Sequence, residues 1–257
     1  MRSEPSVNQR DLAANGRFVE LETLRGLAAI NVFMGHFFLA FTPRAHGLLY
    51  PERPGGLVRS PLFAIMNGSS AVMFFFVLSG FVLTVRAFTA QAAAPLGGAA
   101  LKRWPRLAFP ICLVNVAAAA LATLGAFANR EAASITGSVW LERWRFAFPG
   151  RPPNVLDAAL EGGVLTFITG SADYNSSLWT MWYEFVGSFL AFGLTAGLIL
   201  LKSPRLTPAL LAITWAAVFS QSPLLSCFVA QSVRVSRTRR LSLRSTQPPR
   251  AMSRAAR

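Results

Sequence analysis

The sequence LRGLAAINVFMGHFFLAF occupies residues Leu24–Phe41 and decides the class of fold. Within this apolar run the ionisable side chains are those of Arg25, at its start, and His36, deep inside it. A helix of about 20 apolar residues crosses the hydrocarbon core of a bilayer, which is about 30 Å thick. The run therefore predicts a transmembrane helix.

Four more runs of this kind follow along the chain. They cover about 62–85, 107–127, 178–201 and 207–229. Charged residues make up only 14% of the 257 residues, and hydrophobic residues make up 53%, whereas soluble domains carry about 25% charged residues. The sequence therefore predicts an all-α polytopic membrane protein with about five transmembrane helices.

Polar segments flank this region and divide the chain. Residues 1–23 are polar and are predicted to form a cytosolic leader, before a transmembrane domain over 24–229. The apolar patch 158–170 is too short to cross a bilayer and predicts a re-entrant or interfacial segment. Residues 230–257 form an Arg/Ser-rich tail with eight arginines and no acidic residue, typical of disorder.

The distribution of charge argues against nucleic-acid binding and leaves two explanations for the basic tail. The net charge is +14, but much of it lies in the tail, so a nucleic-acid surface is not predicted. The positive-inside rule places the N-terminus in the cytosol. Five spans would then place the basic tail outside, which favours a truncated or frame-shifted ending. The alternative is a functional polybasic segment that binds anionic lipids.

The two ionisable side chains of the first run share one helix face. Arg25 and His36 are eleven residues apart, which returns to within about 20° of the same face at an axial distance of about 16 Å. Arg25 could hold a phosphate while a neutral His36 removes a proton from a hydroxyl. The alternative is a structural histidine with an interfacial arginine, and spacing alone does not decide between them. His46 lies in a loop and suggests no function.

Three further motifs carry polar groups. In FFFVLSGF (Phe74–Phe81), Ser79 and Gly80 favour close helix packing over a nucleophilic serine. The basic segment KRWPRLAFP suggests either positive-inside anchoring or a phosphate clamp. In SLWTMWYEF (Ser177–Phe185), Glu184 is either an interfacial carboxylate paired with an arginine or a group that orients His36 or an acceptor. The two cysteines, Cys112 and Cys227, lie in separate apolar runs and predict neither a disulfide nor a metal site.

Together these four segments resemble the acyltransferase-3 family of bacterial membrane enzymes. The first has the family's Arg, ten intervening residues and His, and the second is similar to its FFxxSGF segment. The third resembles its basic RxxRIxP segment, and the fourth its WSLxxE segment. The matching residues are Arg25, His36, Phe75, Ser79, Gly80, Phe81, Arg103, Arg106, Pro110, Trp179 and Glu184.

The resemblance implies a reaction and roles for these residues. An acyl group, for which acetyl is expected, would pass from acyl-CoA to a hydroxyl of a surface polysaccharide or glycolipid. His36 and Glu184 would be catalytic, and Arg25, Arg103 and Arg106 would bind the donor, with no bound cofactor or metal. Packing roles fall to Ser79, Gly80 and Trp179.

The resemblance also implies a location and an architecture. The expected place is the bacterial cytoplasmic membrane, and the family has about ten spans, so this chain would be its N-terminal half. Phe185 stands where the family often has a second acidic residue. Two alternatives remain: a non-catalytic scaffold or transporter-like bundle, and an inactive truncated fragment.

Overall fold

A computed structural model describes residues 19–48, 56–143, 152–201, 203 and 206–230. The predicted tail beyond Ala230 and residues 1–18 of the predicted leader lie outside this part of the chain. In chain order the helices are α1 (Val19–Phe41), α2 (Pro43–His46), α3 (Gly68–Ala90), α4 (Ala94–Thr123), α5 (Asn129–Thr136), α6 (Val139–Arg143), α7 (Val155–Leu160), α8 (Thr166–Ile168), α9 (Trp179–Leu201) and α10 (Leu206–Gln221).

Four of the described helices are long and apolar enough to cross a membrane: α1, α3, α4 and α9. The described residues contain no β-strand. Helices suit a bilayer because each satisfies its own backbone hydrogen bonds where water is absent. The predicted all-α polytopic fold is therefore confirmed.

The third predicted span begins earlier than its sequence suggests. Its helix starts at Ala94 rather than near Leu107, so Pro105 and Pro110 both lie in the helix interior. Proline ends or kinks helices in soluble proteins, but transmembrane helices tolerate it because neighbouring groups satisfy the freed carbonyls. The predicted start near Leu107, which would place Pro110 in the first turn of the helix, is therefore wrong.

The fifth predicted span is interrupted. Helix α10 ends at Gln221, Ser222 is not helical, and residues 223–230 are helical again. Pro223 cannot donate a backbone hydrogen bond, and Ser222 Oγ instead accepts one from Leu225 N at 3.3 Å. The 16 residues of α10 extend about 24 Å, which is short of the hydrocarbon thickness.

The chain divides into two compact units. The first comprises the described residues of Met1–Leu78 and Ala118–Asn154, and the second those of Ser79–Ala117 and Val155–Arg257. In the first unit Ala40, Ala133 and Leu141 are buried together. In the second, two apolar clusters are built around Phe192 and Phe167.

Candidate functional site

Three polar side chains meet inside the second unit. Arg103 Nη2 forms an ion pair with Glu184 Oε1, and Ser79 Oγ donates a hydrogen bond to the same carboxylate oxygen. Arg103 Nη2 also lies 3.4 Å from Ser79 Oγ. Arg103 is only 8% exposed. We call these three residues the polar cluster.

The polar cluster lies at the middle level of an apolar helix. Ser79 is the twelfth of the 23 residues of α3, which leaves about 16 Å of helix on either side. Ionisable groups buried among apolar membrane-spanning helices are costly and are typical of functional sites. Glu184 is the sixth residue of α9, and its expected pairing with an arginine is present, with Arg103 as the partner.

The other basic residue of the KRWPRLAFP segment is placed differently. Arg106 is exposed, whereas Arg103 is buried and paired with Glu184. The sequence grouped the two as donor-binding residues. The structure separates a guanidinium held by a carboxylate from one that is accessible to a ligand, and the donor-binding role of both remains a prediction.

A buried carboxylate for which the sequence suggested no role, that of Glu161, holds the segment before α9 by hydrogen bonds. Glu161 is 4% exposed. It accepts four hydrogen bonds: from Asn115 Nδ2 at 3.1 Å, Ser171 Oγ at 2.8 Å, Asp173 N at 3.2 Å and Tyr174 N at 3.1 Å. A buried charge is tolerated only when it is hydrogen-bonded in this way. Glu161 therefore fixes the loop that leads into the helix of Glu184.

Glu161 also opens a π-helical turn, Glu161–Leu165, which packs tightly on α4. A methyl group on Gly162 would lie 2.7 Å from Cys112 Cα, so the two backbones are in contact. Trp104 Nε1 donates to Gly163 O at 3.0 Å. Turns of this kind are frequent at functional sites. In the sequence, the sign of this turn is an acidic residue followed by two glycines within a short apolar patch.

The start of α9 is packed by aromatic rings. Trp179, which is 44% exposed, and Trp182 both make edge contacts with Tyr183, at ring distances of 5.7 and 5.0 Å. The ring of Phe185 lies 5.2 Å from that of Phe167. These contacts fix the first two turns of α9, which carry Glu184.

In the first unit, the imidazole of His36 is hydrogen-bonded to the backbone of its own helix. Its Nδ1 lies 3.0 Å from the carbonyl oxygen of Val32, one helical turn earlier. A carbonyl oxygen can only accept, so Nδ1 is the donor in this bond. The indole ring of Trp140 lies 5.6 Å from the imidazole. In the neutral form of the ring, this bond leaves Nε2 as the nitrogen that can accept a proton.

Neighbouring residues hold this part of α1 in place. A methyl group on Gly35 would lie 2.5 Å from Met66 O, so only glycine allows that backbone to approach. Asn31 Nδ2 donates to Ala64 O at 2.6 Å. The backbone beside His36 is therefore packed against residues 64–66, and a bulkier residue at Gly35 would displace it.

Arg25 lies on the same continuous helix as His36, so the predicted separation of about 16 Å along the axis holds. Its guanidinium is 46% exposed and lies 3.6 Å from Glu22, three residues earlier. An exposed pair of this kind is weak. Arg25 can therefore exchange Glu22 for a stronger anionic partner, and its predicted donor-binding role stays a prediction.

A family model described as an acyltransferase domain matches residues 18–234, most of the chain. The chain belongs to the acyltransferase-3 family. The resemblance inferred from the four motifs is thereby confirmed. The chain is an acyltransferase that transfers groups other than amino-acyl groups. Comparisons with curated proteins and with solved structures found no match.

In a membrane acyltransferase of this family, His36 and the polar cluster are suited to different chemical tasks. His36 offers an acceptor for the proton of a hydroxyl. The polar cluster offers an arginine whose orientation is fixed by a carboxylate, suited to an anionic or carbonyl oxygen.

Proposed function

We propose that this acyltransferase transfers an acetyl group from acetyl-CoA to a hydroxyl of a surface polysaccharide or glycolipid, in the bacterial cytoplasmic membrane. The observation that carries the proposal is the hydrogen bond from His36 Nδ1 to Val32 O. This bond leaves the lone pair of Nε2 available inside an apolar helix, as a general base requires.

The reaction needs one base and no redox change. His36 Nε2 takes the proton of the acceptor hydroxyl as its oxygen attacks the thioester carbonyl carbon. The tetrahedral intermediate collapses with cleavage of the carbon–sulfur bond. The CoA thiolate leaves and receives the proton from His36, which returns the imidazole to its neutral form.

Cationic side chains supply the interactions that coenzyme A needs. Its phosphates carry several negative charges, and arginine binds phosphate through paired hydrogen bonds. Arg25 and Arg106 are exposed enough to do so without loss of a strong partner. We assign Arg103, held by Glu184, to the donor as well, and Glu184 acts catalytically by holding that guanidinium in one orientation.

The competing function is a scaffold or transporter that performs no chemistry. A buried ion pair inside a helical bundle also occurs in transporters, so the polar cluster alone does not separate the two. The experiment is to reconstitute the purified full chain in vesicles with isotope-labelled acetyl-CoA and de-O-acetylated envelope polysaccharide from cells that carry the gene. The proposal expects ester-linked label on the polysaccharide, released by mild base. Label that crosses the vesicle membrane without forming an ester supports the transporter and contradicts the enzyme.

A further inference from the structure

A polar cavity of about 540 Å³ opens at α5 and α6 in the first unit. This volume falls in the range of small-molecule binding sites, about 300–1,000 Å³. Its polar lining consists of Arg130, Ser134, Ser138 and Glu142, together with the backbone of Gly137. None of the motifs that resemble the family includes these residues.

The chemistry of this lining selects one class of ligand. The Arg130 guanidinium offers donors, and the Glu142 carboxylate and the Ser134 hydroxyl oxygen offer acceptors. The remaining lining residues, Ala133 and Val139, have short side chains and are too few to line a channel for an acyl chain. The Glu142 carboxylate would repel a polyphosphate such as the coenzyme. A ligand rich in neutral hydroxyls, such as a sugar, satisfies both charged groups.

We propose that this cavity binds the sugar that carries the acceptor hydroxyl. The proposal rests on the acyl transfer proposed above and deepens it, because it assigns an acceptor site to residues outside the family motifs. Arg130 and Glu142 hydrogen-bond sugar hydroxyls from two helices. The Ser134 hydroxyl donates to Glu131 O at 2.8 Å and can still accept a hydrogen bond from the sugar, whereas Ser138 is buried in the cavity wall.

The cavity is fixed to the helix that carries His36. Ser138 Oγ donates to the carbonyl oxygen of Leu39 at 2.9 Å, and Ser138 is 1% exposed. Leu141 N donates to the same Ser138 Oγ at 3.3 Å, and Leu141 packs with Ala40. The wall of the cavity is thus attached to the last turn of α1.

Trp140 connects the segment that lines the cavity to the proposed base. It lies between the lining residues Val139 and Glu142 in the sequence, and its ring contacts the imidazole of His36 at a centroid distance of 5.6 Å. A polysaccharide held at the cavity would therefore be bound by the same segment that contacts His36. Substrate binding beside a base is what converts the reaction to an intramolecular one.

The cavity and Arg25 lie toward opposite ends of α1, on either side of His36. His36 is about 8 Å from the end of α1 at Phe41 and about 16 Å from Arg25 toward the other end. The cavity is attached at Leu39 and Ala40. Acceptor and donor phosphates would therefore approach His36 from opposite ends of one helix and would not compete for the same groups.

The test uses the purified full chain and de-O-acetylated envelope polysaccharide from cells that carry the gene. The test variants are the double substitution Arg130→Gln with Glu142→Gln, and Ser134→Trp, which fills the cavity. Glu131→Gln is the matched control, because Glu131 is an exposed residue of α5 that does not line the cavity. All variants are compared at equal amounts of monodisperse protein.

Both test variants should raise KM for the polysaccharide about tenfold or more. The double substitution removes charged hydrogen bonds, and Ser134→Trp fills the space that the sugar needs. KM for acetyl-CoA and the slow acceptor-free hydrolysis of acetyl-CoA stay within about twofold, and Glu131→Gln behaves as the wild type. An unchanged KM for the polysaccharide, or a rise in KM for acetyl-CoA instead, overturns the proposal.

Direct binding separates this proposal from the proposed reaction. Polysaccharide binding to the protein is measured with no donor present. If the wild type binds and both test variants bind about tenfold more weakly, the acceptor site stands even where no acetyl transfer is found. If transfer occurs but all variants bind the polysaccharide alike, the reaction stands and the acceptor site is wrong.

Discussion

Arg103 and Glu184 form a buried ion pair across 81 residues of sequence, at the middle level of α3 in the second unit. The pair includes Ser79, whose hydroxyl donates to the same carboxylate oxygen. The sequence assigned the three residues to three separate tasks: donor binding, catalysis and packing. The structure joins them, so substitutions at any of the three are expected to be interdependent.

The first prediction concerns this interdependence. Glu184→Gln or Arg103→Gln alone removes one charge of this largely buried pair and should lower the free energy of unfolding by about 3–5 kcal/mol. The double variant should lose less than the sum, because neither charge is left. Thermal or denaturant unfolding in detergent measures this coupling, and simple additivity of the two single effects would show that the pair does not interact.

The second prediction separates packing from nucleophilic catalysis at Ser79. The serine hydroxyl donates to a carboxylate that already pairs with Arg103, so its removal by Ser79→Ala should cost about 1 kcal/mol of stability. The rate of acetyl transfer should fall by less than about tenfold. Complete loss of transfer, together with an acetylated Ser79 trapped in the wild type by mass spectrometry, would instead identify a nucleophile.

The third prediction uses two adjacent glycines of the π-helical turn. Gly162→Ala places a methyl group 2.7 Å from the Cys112 backbone, so the turn must move away from α4. The free energy of unfolding should fall by about 1–3 kcal/mol. Gly163→Ala meets no atom within 4 Å and should be neutral or slightly stabilising. Equal effects of the two substitutions would refute the close packing of this turn.

The fourth prediction concerns pH. Burial lowers the pKa of His46 below its ordinary value of 6.5, and Leu48 N donates to its Nδ1 at 3.4 Å. The unfolded chain therefore binds a proton at a higher pH than the folded chain. The stabilisation is fully present above about pH 6.5 and is lost as the pH falls toward the lowered pKa.

A His46→Phe variant serves as the comparison, because Phe keeps the ring contact with Phe63 and cannot titrate. Its unfolding midpoint should depend less on pH between about 5 and 7 than that of the wild type. An identical pH dependence in both proteins would show that His46 titrates normally.

The amino-acid sequence predicts much of this fold because long apolar runs have few alternatives. The runs around His36, Ser79 and Glu184 became α1, α3 and α9 with small shifts at their ends. The start of α4 was missed because Ala and Gly precede two prolines, which mark a boundary in soluble proteins. Pro223 interrupts the last run, and its position inside an apolar stretch concealed the break.

The contacts of the site were harder to predict. His36 was found because an ionisable residue in an apolar run is conspicuous, but its tautomer depends on a carbonyl four residues away. Periodicity gives neighbours within one helix and carries no information on pairs such as Arg103 and Glu184. The role of Glu161 depends on four donors from two distant segments, which only the folded chain assembles.

If His36 is the base of acyl transfer, replacing it should abolish activity, whereas replacing His46, the other histidine of the chain, should not. Acetyl transfer to the polysaccharide is measured for His36→Ala and for His46→Ala at equal amounts of monodisperse protein. Loss of a general base costs about 10²–10⁴-fold in rate. We expect such a loss at His36 alone, with partial recovery when imidazole is added. Retention of transfer within about tenfold in His36→Ala would contradict the account.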